Sequence, residues 1–90
     1  MLLRQLQYII AVEELKNFTK AASKCCVTQS TLSLQIKGLE DYFGIQFFDR
    51  KKYPIELTAQ GEALIDKARE VVKLAKEFEE AAKNMKVNNS

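Results

Sequence analysis

Between Thr28 and Gly44 the apolar residues Leu32, Ile36, Leu39 and Phe43 recur at steps of 4, 3 and 4. At ~100° per residue this spacing gathers them within roughly 60° on one face of a helix. That spine is expected to be buried. The opposite side, carrying Gln29, Ser30, Ser33, Leu34 and Lys37, faces outward. Thr28 is suited to cap the helix by accepting from amides two or three residues on, and Gly44 stands where a left-handed residue would stop it. About 15 residues give a rod ~22 Å long, and its ~10–12 Å girth matches a B-DNA major groove ~12 Å wide. A surface helix that is merely solvated satisfies the same pattern, so the remaining elements must discriminate.

Upstream, Leu3, Leu6 and Ile10 form one stripe and Tyr8, Val12 and Leu15 another, predicting a first helix over about Leu3 to Leu15 that is sandwiched between two neighbours. Arg4 at its front is either a phosphate contact or a solvated base. Asn17 is a good N-cap, and Phe18, Ala21, Ala22 and Cys25 follow at i, i+3, i+4 and i+7, predicting a short second helix over Phe18 to Cys25. Its two alanines permit close helix approach, and only Cys26 and Val27 link it to the next helix, as in a helix-turn-helix pair. Lys20 and Lys24, spaced i, i+4, make a basic strip there.

After Gly44, Ile45 and Phe47 in one run and Ile55 and Leu57 in another alternate with more polar residues, apart from Phe48. This reads as a hairpin whose tip, Asp49 to Pro54, holds the consecutive bases Arg50, Lys51 and Lys52. From Thr58, a good N-cap, the pattern becomes one long helix with Leu64, Ala68, Val71, Ala75, Phe78, Ala82 and Met85 stepping 4, 3, 4, 3, 4, 3. About 28 residues span ~42 Å, further than the front domain can cover. The alternating seam calls for a second copy of the helix, parallel or antiparallel. Lys86 to Ser90 reads as a frayed end or the start of a linker.

Composition narrows the function. Ninety residues with 47% apolar and 29% charged are one ordinary globular domain, and the net charge of +2 is too small to announce a nucleic-acid binder. Its location is more telling: residues 1–60 hold eight Lys/Arg against six Asp/Glu, whereas residues 61–90 balance at six each. The apolar run at Tyr8 to Val12 is too short for a signal or a membrane span, so a cytoplasmic location is expected. Adjacent Cys25 and Cys26 point ~100° apart if helical, which makes them poor partners; Cys25 reads as core filling, and no zinc-binding pattern exists. With no histidine and no phosphate loop, an enzyme is disfavoured and no cofactor is expected.

With these elements in place, the first ~85 residues resemble the amino-terminal DNA-binding domain of LysR-type transcriptional regulators. The resemblance rests on RQLQYIIAV, NFTKAA, VTQSTLSLQIKGLEDYFGIQFFDR and LTAQGEALIDKAR, in this order and spacing; TQSTLSLQIKGLED and the nearby Cys25 look most like the peroxide-sensing, OxyR-like branch. It implies a mainly α fold, a winged helix-turn-helix of three helices and a short two-stranded wing, followed by a long carboxy-terminal dimerisation helix. The implied divisions are residues 1–58 (DNA-binding), 59–86 (dimerisation) and 87–90 (start of a linker to an effector domain beyond this sequence). It further implies antiparallel dimerisation and binding to an interrupted inverted repeat in double-stranded DNA.

Carried over residue by residue, Gln29, Ser30, Thr31 and Ser33 match base-contacting positions, and Arg50 with the following lysines matches the wing. Most relatives carry proline where Ser30 stands; serine retains an amide able to donate to phosphate. The resulting expectation is that Gln29 and Ser33 read base edges, with Gln suited to adenine, while Leu34 meets a thymine methyl. Ser30, Lys20, Lys24 and Lys37 would hold phosphates, and Arg50, Lys51 and Lys52 would grip the flanking groove. Glu40 and Asp41 would repel phosphate, leaving only the first half of the recognition helix to enter. The rival reading is a dimeric protein-interaction module that uses the same exposed helix face.

Overall fold

In the computed structural model, which describes residues 2–88, the chain forms α1 (Leu2–Leu15), α2 (Phe18–Lys24), α3 (Gln29–Phe43), β1 (Phe48–Asp49), β2 (Glu56–Leu57) and α4 (Ala59–Asn88). The expected capping side chains start three of the helices. Asn17 Oδ1 accepts from the Lys20 amide at 2.8 Å, Thr28 Oγ1 from the Thr31 amide at 3.1 Å, and Thr58 Oγ1 from the Gly61 amide at 3.0 Å. Each satisfies a first-turn N–H that the helix itself cannot pair. Gly44 caps α3 at φ 67°, a left-handed conformation that a Cβ would strain.

The core gathers one face of each helix. Ile9 and Val12 of α1 and Leu32 and Ile36 of α3 are wholly shielded from solvent, together with Phe48. Ile9 lies between the two stripes expected of α1, so the buried surface is a continuous band through Leu6, Tyr8, Ile9, Ala11 and Val12, while Leu15 is exposed at the end. α1 packs against all three other helices, α2, α3 and α4. α4 contributes Ile65 and Ala68 to the core, with half-buried Val72 against it.

Several expectations need correction. Phe43, placed on the buried spine, is 56% exposed, because the chain turns away at Gly44 and no element of a single chain covers that end of α3. Ala68, assigned to the dimer seam, is 4% exposed in the chain's own core. α2 stops at Lys24, so Cys25 and Cys26 are not helical neighbours; Cys25 is half-buried and Cys26 exposed. α4 continues to Asn88, two residues past the expected end, and residues 89 and 90 lie outside those described.

The wing is shorter than the alternation suggested. Only Phe48–Asp49 and Glu56–Leu57 pair, antiparallel, with Phe48 opposite Leu57 and Asp49 opposite Glu56. The reason lies in Phe47. Its amide donates to Glu40 and its carbonyl accepts from the Thr58 amide at 2.9 Å, so its backbone bonds are committed to α3 and to the start of α4. Phe47 and Phe48 are both buried instead of alternating, and Phe48 meets Phe18 of α2 edge-on at 5.7 Å between ring centroids. Gly61 seats the first turn of α4 against this segment: a Cβ there would collide with the Phe47 carbonyl oxygen.

Beyond Val72, α4 extends away from the body and gives the molecule a long axis of 53 Å. Its large side chains Leu74, Phe78 and Met85 are bare there, at 63%, 75% and 66% exposed.

Candidate nucleic-acid interface

The backbone between α2 and α3 sets the pose of α3. The Cys26 amide donates to the Ser23 carbonyl at 3.1 Å and the Val27 amide to the Ala22 carbonyl at 3.0 Å. These bonds satisfy carbonyls left open at the end of α2. Thr28 then begins α3 with its first turns facing solvent. Gln29, Ser30 and Thr31 are exposed, Ser33 is half-buried and Leu34 is 69% exposed.

Within this surface the polar side chains are linked. Gln29 Nε2 donates to Ser33 Oγ at 3.0 Å, and the Thr28 hydroxyl donates to Thr31 Oγ1 at 2.9 Å. Gln29 and Ser33 thus form one hydrogen-bonding unit a single turn apart, whereas Thr31 is engaged with the cap. The helix macrodipole adds positive potential at this end. A polar, uncharged helix tip backed by that potential is matched to a phosphate-lined groove.

The basic residues divide by partner. Lys24 pairs with Glu14 of α1 at 3.3 Å, Lys37 with Asp41 at 3.6 Å, and Lys52 with Glu56 at 3.4 Å. Lys20 and Lys51 have no acidic partner among the described residues. Exposed pairs of this kind are worth little, about 0–1 kcal/mol, so a phosphate can compete for the lysines.

Arg50 is held differently. Its guanidinium donates to Glu40 Oε1 at 3.1 Å and sits 5.2 Å from the centroid of the Phe18 ring. Glu40 is only 4% exposed, and its other oxygen accepts from the Phe47 amide at 2.7 Å. Far from acting as a bare phosphate-repelling charge, Glu40 is neutralised and fastens the wing to the end of α3. Its place was legible: four residues after Ile36, it falls on the apolar face of the helical wheel. Asp41, by contrast, is exposed.

A second acid–base cluster ties α4 to the body. Arg69 donates to Glu14 at 3.1 Å and also to Glu13, while Glu14 takes Lys24 as well. The Lys24 hydrogen bond outweighs the opposing effect of burial and, with Arg69 adding to it, holds the Glu14 carboxyl below the usual range. No periodicity marks these residues, which come together across 55 positions of sequence.

Known proteins share this arrangement. The description "Bacterial regulatory helix-turn-helix protein, lysR family" matches residues 3–62. The hydrogen peroxide-inducible genes activator of Haemophilus influenzae is 42% identical over 82 residues, covering 91% of this chain and 27% of that protein. The DNA-binding transcriptional dual regulator OxyR of Escherichia coli is 39% identical over 80 residues, covering 89% of this chain and 26% of that protein. This chain therefore spans about a quarter of the length of these relatives. Among solved structures, BenM_DBD in complex with catB site 1 DNA superposes with a TM-score of 0.91 at 34% identity, covering 100% of this chain and 97% of that one. The full-length OxyR C199D variant from Pseudomonas aeruginosa gives a TM-score of 0.88 at 37% identity, over 93% of this chain and 28% of that one. With that description matching residues 3–62 and relatives about 40% identical over some nine-tenths of its length, the chain belongs to the lysR family of bacterial regulatory helix-turn-helix proteins.

Proposed function

We propose that residues 1–58 form a sequence-specific DNA-binding domain, that α4 over residues 59–86 dimerises it, and that residues 87–90 begin a linker to a further regulatory domain. The observation that carries this reading is the outward, polar first half of α3, with Gln29 and Ser33 joined in one hydrogen-bonding unit, together with Lys20 and Lys51, which have no acidic partner among the described residues. In it, Gln29 and Ser33 read base edges in the major groove, assisted by Thr31, and Leu34 offers its methyls to thymine. Ser30, Lys20, Lys24 and Lys37 hold phosphates, the lysines exchanging exposed acidic partners for the backbone. Lys51 and Lys52 reach the neighbouring backbone from the wing, with Arg50 holding that wing in place.

Dimerisation draws support from apolar surface that a single chain leaves open. Leu64, Val71, Ala75, Phe78, Ala82 and Met85 run along α4, and beside its near end lies a cleft lined by Leu2, Leu6, Leu39 and Phe43. Ala68 supports the seam from within the body. A two-fold pair would present two α3 tips to one face of a duplex about 34 Å apart, or at a multiple if the DNA bends, matching an interrupted inverted repeat. The role is regulatory, not enzymatic, and cytoplasmic; no helix among the described residues is long and apolar enough to cross a membrane.

Selection from random duplexes tests the reading, with fluorescence anisotropy on the recovered sequences. Two related half-sites at a fixed spacing are expected. Recovery of no shared sequence, with no binding to any duplex at low salt, would refute it.

A further inference from the structure

We infer that Cys25 and Cys26 form a dithiol site that captures a trivalent, thiophilic arsenic centre at the elbow between α2 and α3. Helical geometry would hold adjacent cysteines apart, but it ends before them. Cys25 is the C-cap of α2 at φ −87°, ψ 2°, and Cys26 steps to φ 61°, a left-handed conformation uncommon for a residue with a side chain. Through that step both cysteines line one open cleft, shared with Tyr8, Ala11, Glu14 and Val72. Their Cα atoms are ~3.8 Å apart across a trans peptide, so with both residues lining the cleft one soft atom can bridge their side chains. The two backbone hydrogen bonds of the elbow preset this shape before any ligand arrives.

The ligand class follows from what surrounds the sulfurs. No group of three or more His, Cys, Asp or Glu able to hold a metal occurs among the described residues. Tetrahedral zinc, which takes four ligands in structural sites, is therefore unsuited. A centre satisfied by two soft protein sulfurs and one ligand of its own fits. Burial pushes the Cys25 thiol up, with Lys24 opposing and Cys26 adding to the rise. A less acidic thiol is the weaker nucleophile, so capture relies on the thiophilicity of arsenic and on the pairing of the two cysteines. With phenylarsine oxide, two S–H bonds and the As=O bond break, two As–S bonds form, and the oxygen leaves with both protons as one water. Arsenic stays trivalent, so no oxidant or reductant is needed. The closed ring ties Cys26 in its left-handed conformation two residues before the Thr28 cap of α3, independently of whether DNA is the partner.

Phenylarsine oxide titration of the 90-residue chain, followed by intact-mass spectrometry, tests the site. One phenylarsenic group per chain is expected, with both thiols lost to thiol-specific labelling and the adduct stable to excess 2-mercaptoethanol yet removed by ethanedithiol. Cys25→Ala and Cys26→Ala should each weaken binding by roughly 10²-fold or more, because the second bond is intramolecular only in the pair. Two groups per chain, cross-linked chains, or an adduct stripped by the monothiol would overturn the inference, as would folded single variants that bind as tightly as the parent. Stability to monothiol decides the matter even where a variant loses helicity by circular dichroism.

Discussion

Glu40→Gln sets the tertiary reading against the reading from sequence. In the folded chain the Glu40 carboxylate, 4% exposed, accepts from the Phe47 amide at 2.7 Å and from Arg50 at 3.1 Å. Hydrogen bonds to charged groups contribute about 1.5–3 kcal/mol each, against 0.5–1.5 for neutral ones. Glutamine keeps one oxygen for the Phe47 amide but turns a charge-assisted bond into a neutral one and presents an NH2 to Arg50, which also donates. Because Arg50 remains 39% exposed, water relieves part of its loss, and the cost falls below the 3–5 kcal/mol expected for breaking a fully buried pair. A net loss of about 2 kcal/mol follows, or roughly 8–16 °C in Tm for a domain of this size. Thermal unfolding followed by circular dichroism, at fixed protein concentration because dimerisation would shift Tm, measures it. A cycle with Arg50→Gln should give a coupling energy of about 0.5–3 kcal/mol. DNA affinity should fall as the wing loosens. If Glu40 instead only repelled phosphate, the variant would bind DNA more tightly at unchanged Tm, and that result would refute the buried-lock reasoning.

Four further perturbations address other parts of the structure. Lys51→Ala, exposed and with no acidic partner among the described residues, should change stability by no more than about 0.5 kcal/mol while weakening binding to all duplexes and lowering the salt slope by ~0.9 per lost phosphate contact; anisotropy at several salt concentrations measures the affinity and the slope, and an unaltered slope contradicts a wing contact. Phe78→Lys, at a position 75% exposed, should yield monomers in light scattering without loss of helicity, whereas a preserved dimer mass removes the α4 seam. Gly61→Ala should destabilise by about 1–3 kcal/mol, since its Cβ would press on the backbone of Phe47; an unchanged urea midpoint would show that α4 can shift freely. Glu14, whose carboxyl is held below its ordinary 4.5, adds stability that is present above that value and lost as pH falls through the lower folded value. Glu14→Gln should therefore narrow the gap in stability between pH 7 and pH 3, and equal acid sensitivity in both proteins would contradict the tether to Lys24 and Arg69.

What the sequence by itself determined is local. Caps act over three residues and helical faces over four, so Asn17, Thr28, Gly44 and Thr58 marked their boundaries, and Leu32, Ile36 and Leu39 declared an inward face before any neighbour was known. The polar first half of α3 was legible for the same reason. Tertiary structure alone decided which of several compatible partners each residue meets. Glu40 read as a stray acid until the wing delivered Arg50 and the Phe47 amide to it, and Ala68 fitted a dimer seam until it was found buried in the chain's own core. Phe43 passed for core because periodicity names a face without saying where its cover ends, and the cysteine pair shared a cleft only once the turn had reversed. Spacing along a helix is set by the backbone's own geometry; contacts between elements depend on how several faces are filled at once, which no short window of sequence contains.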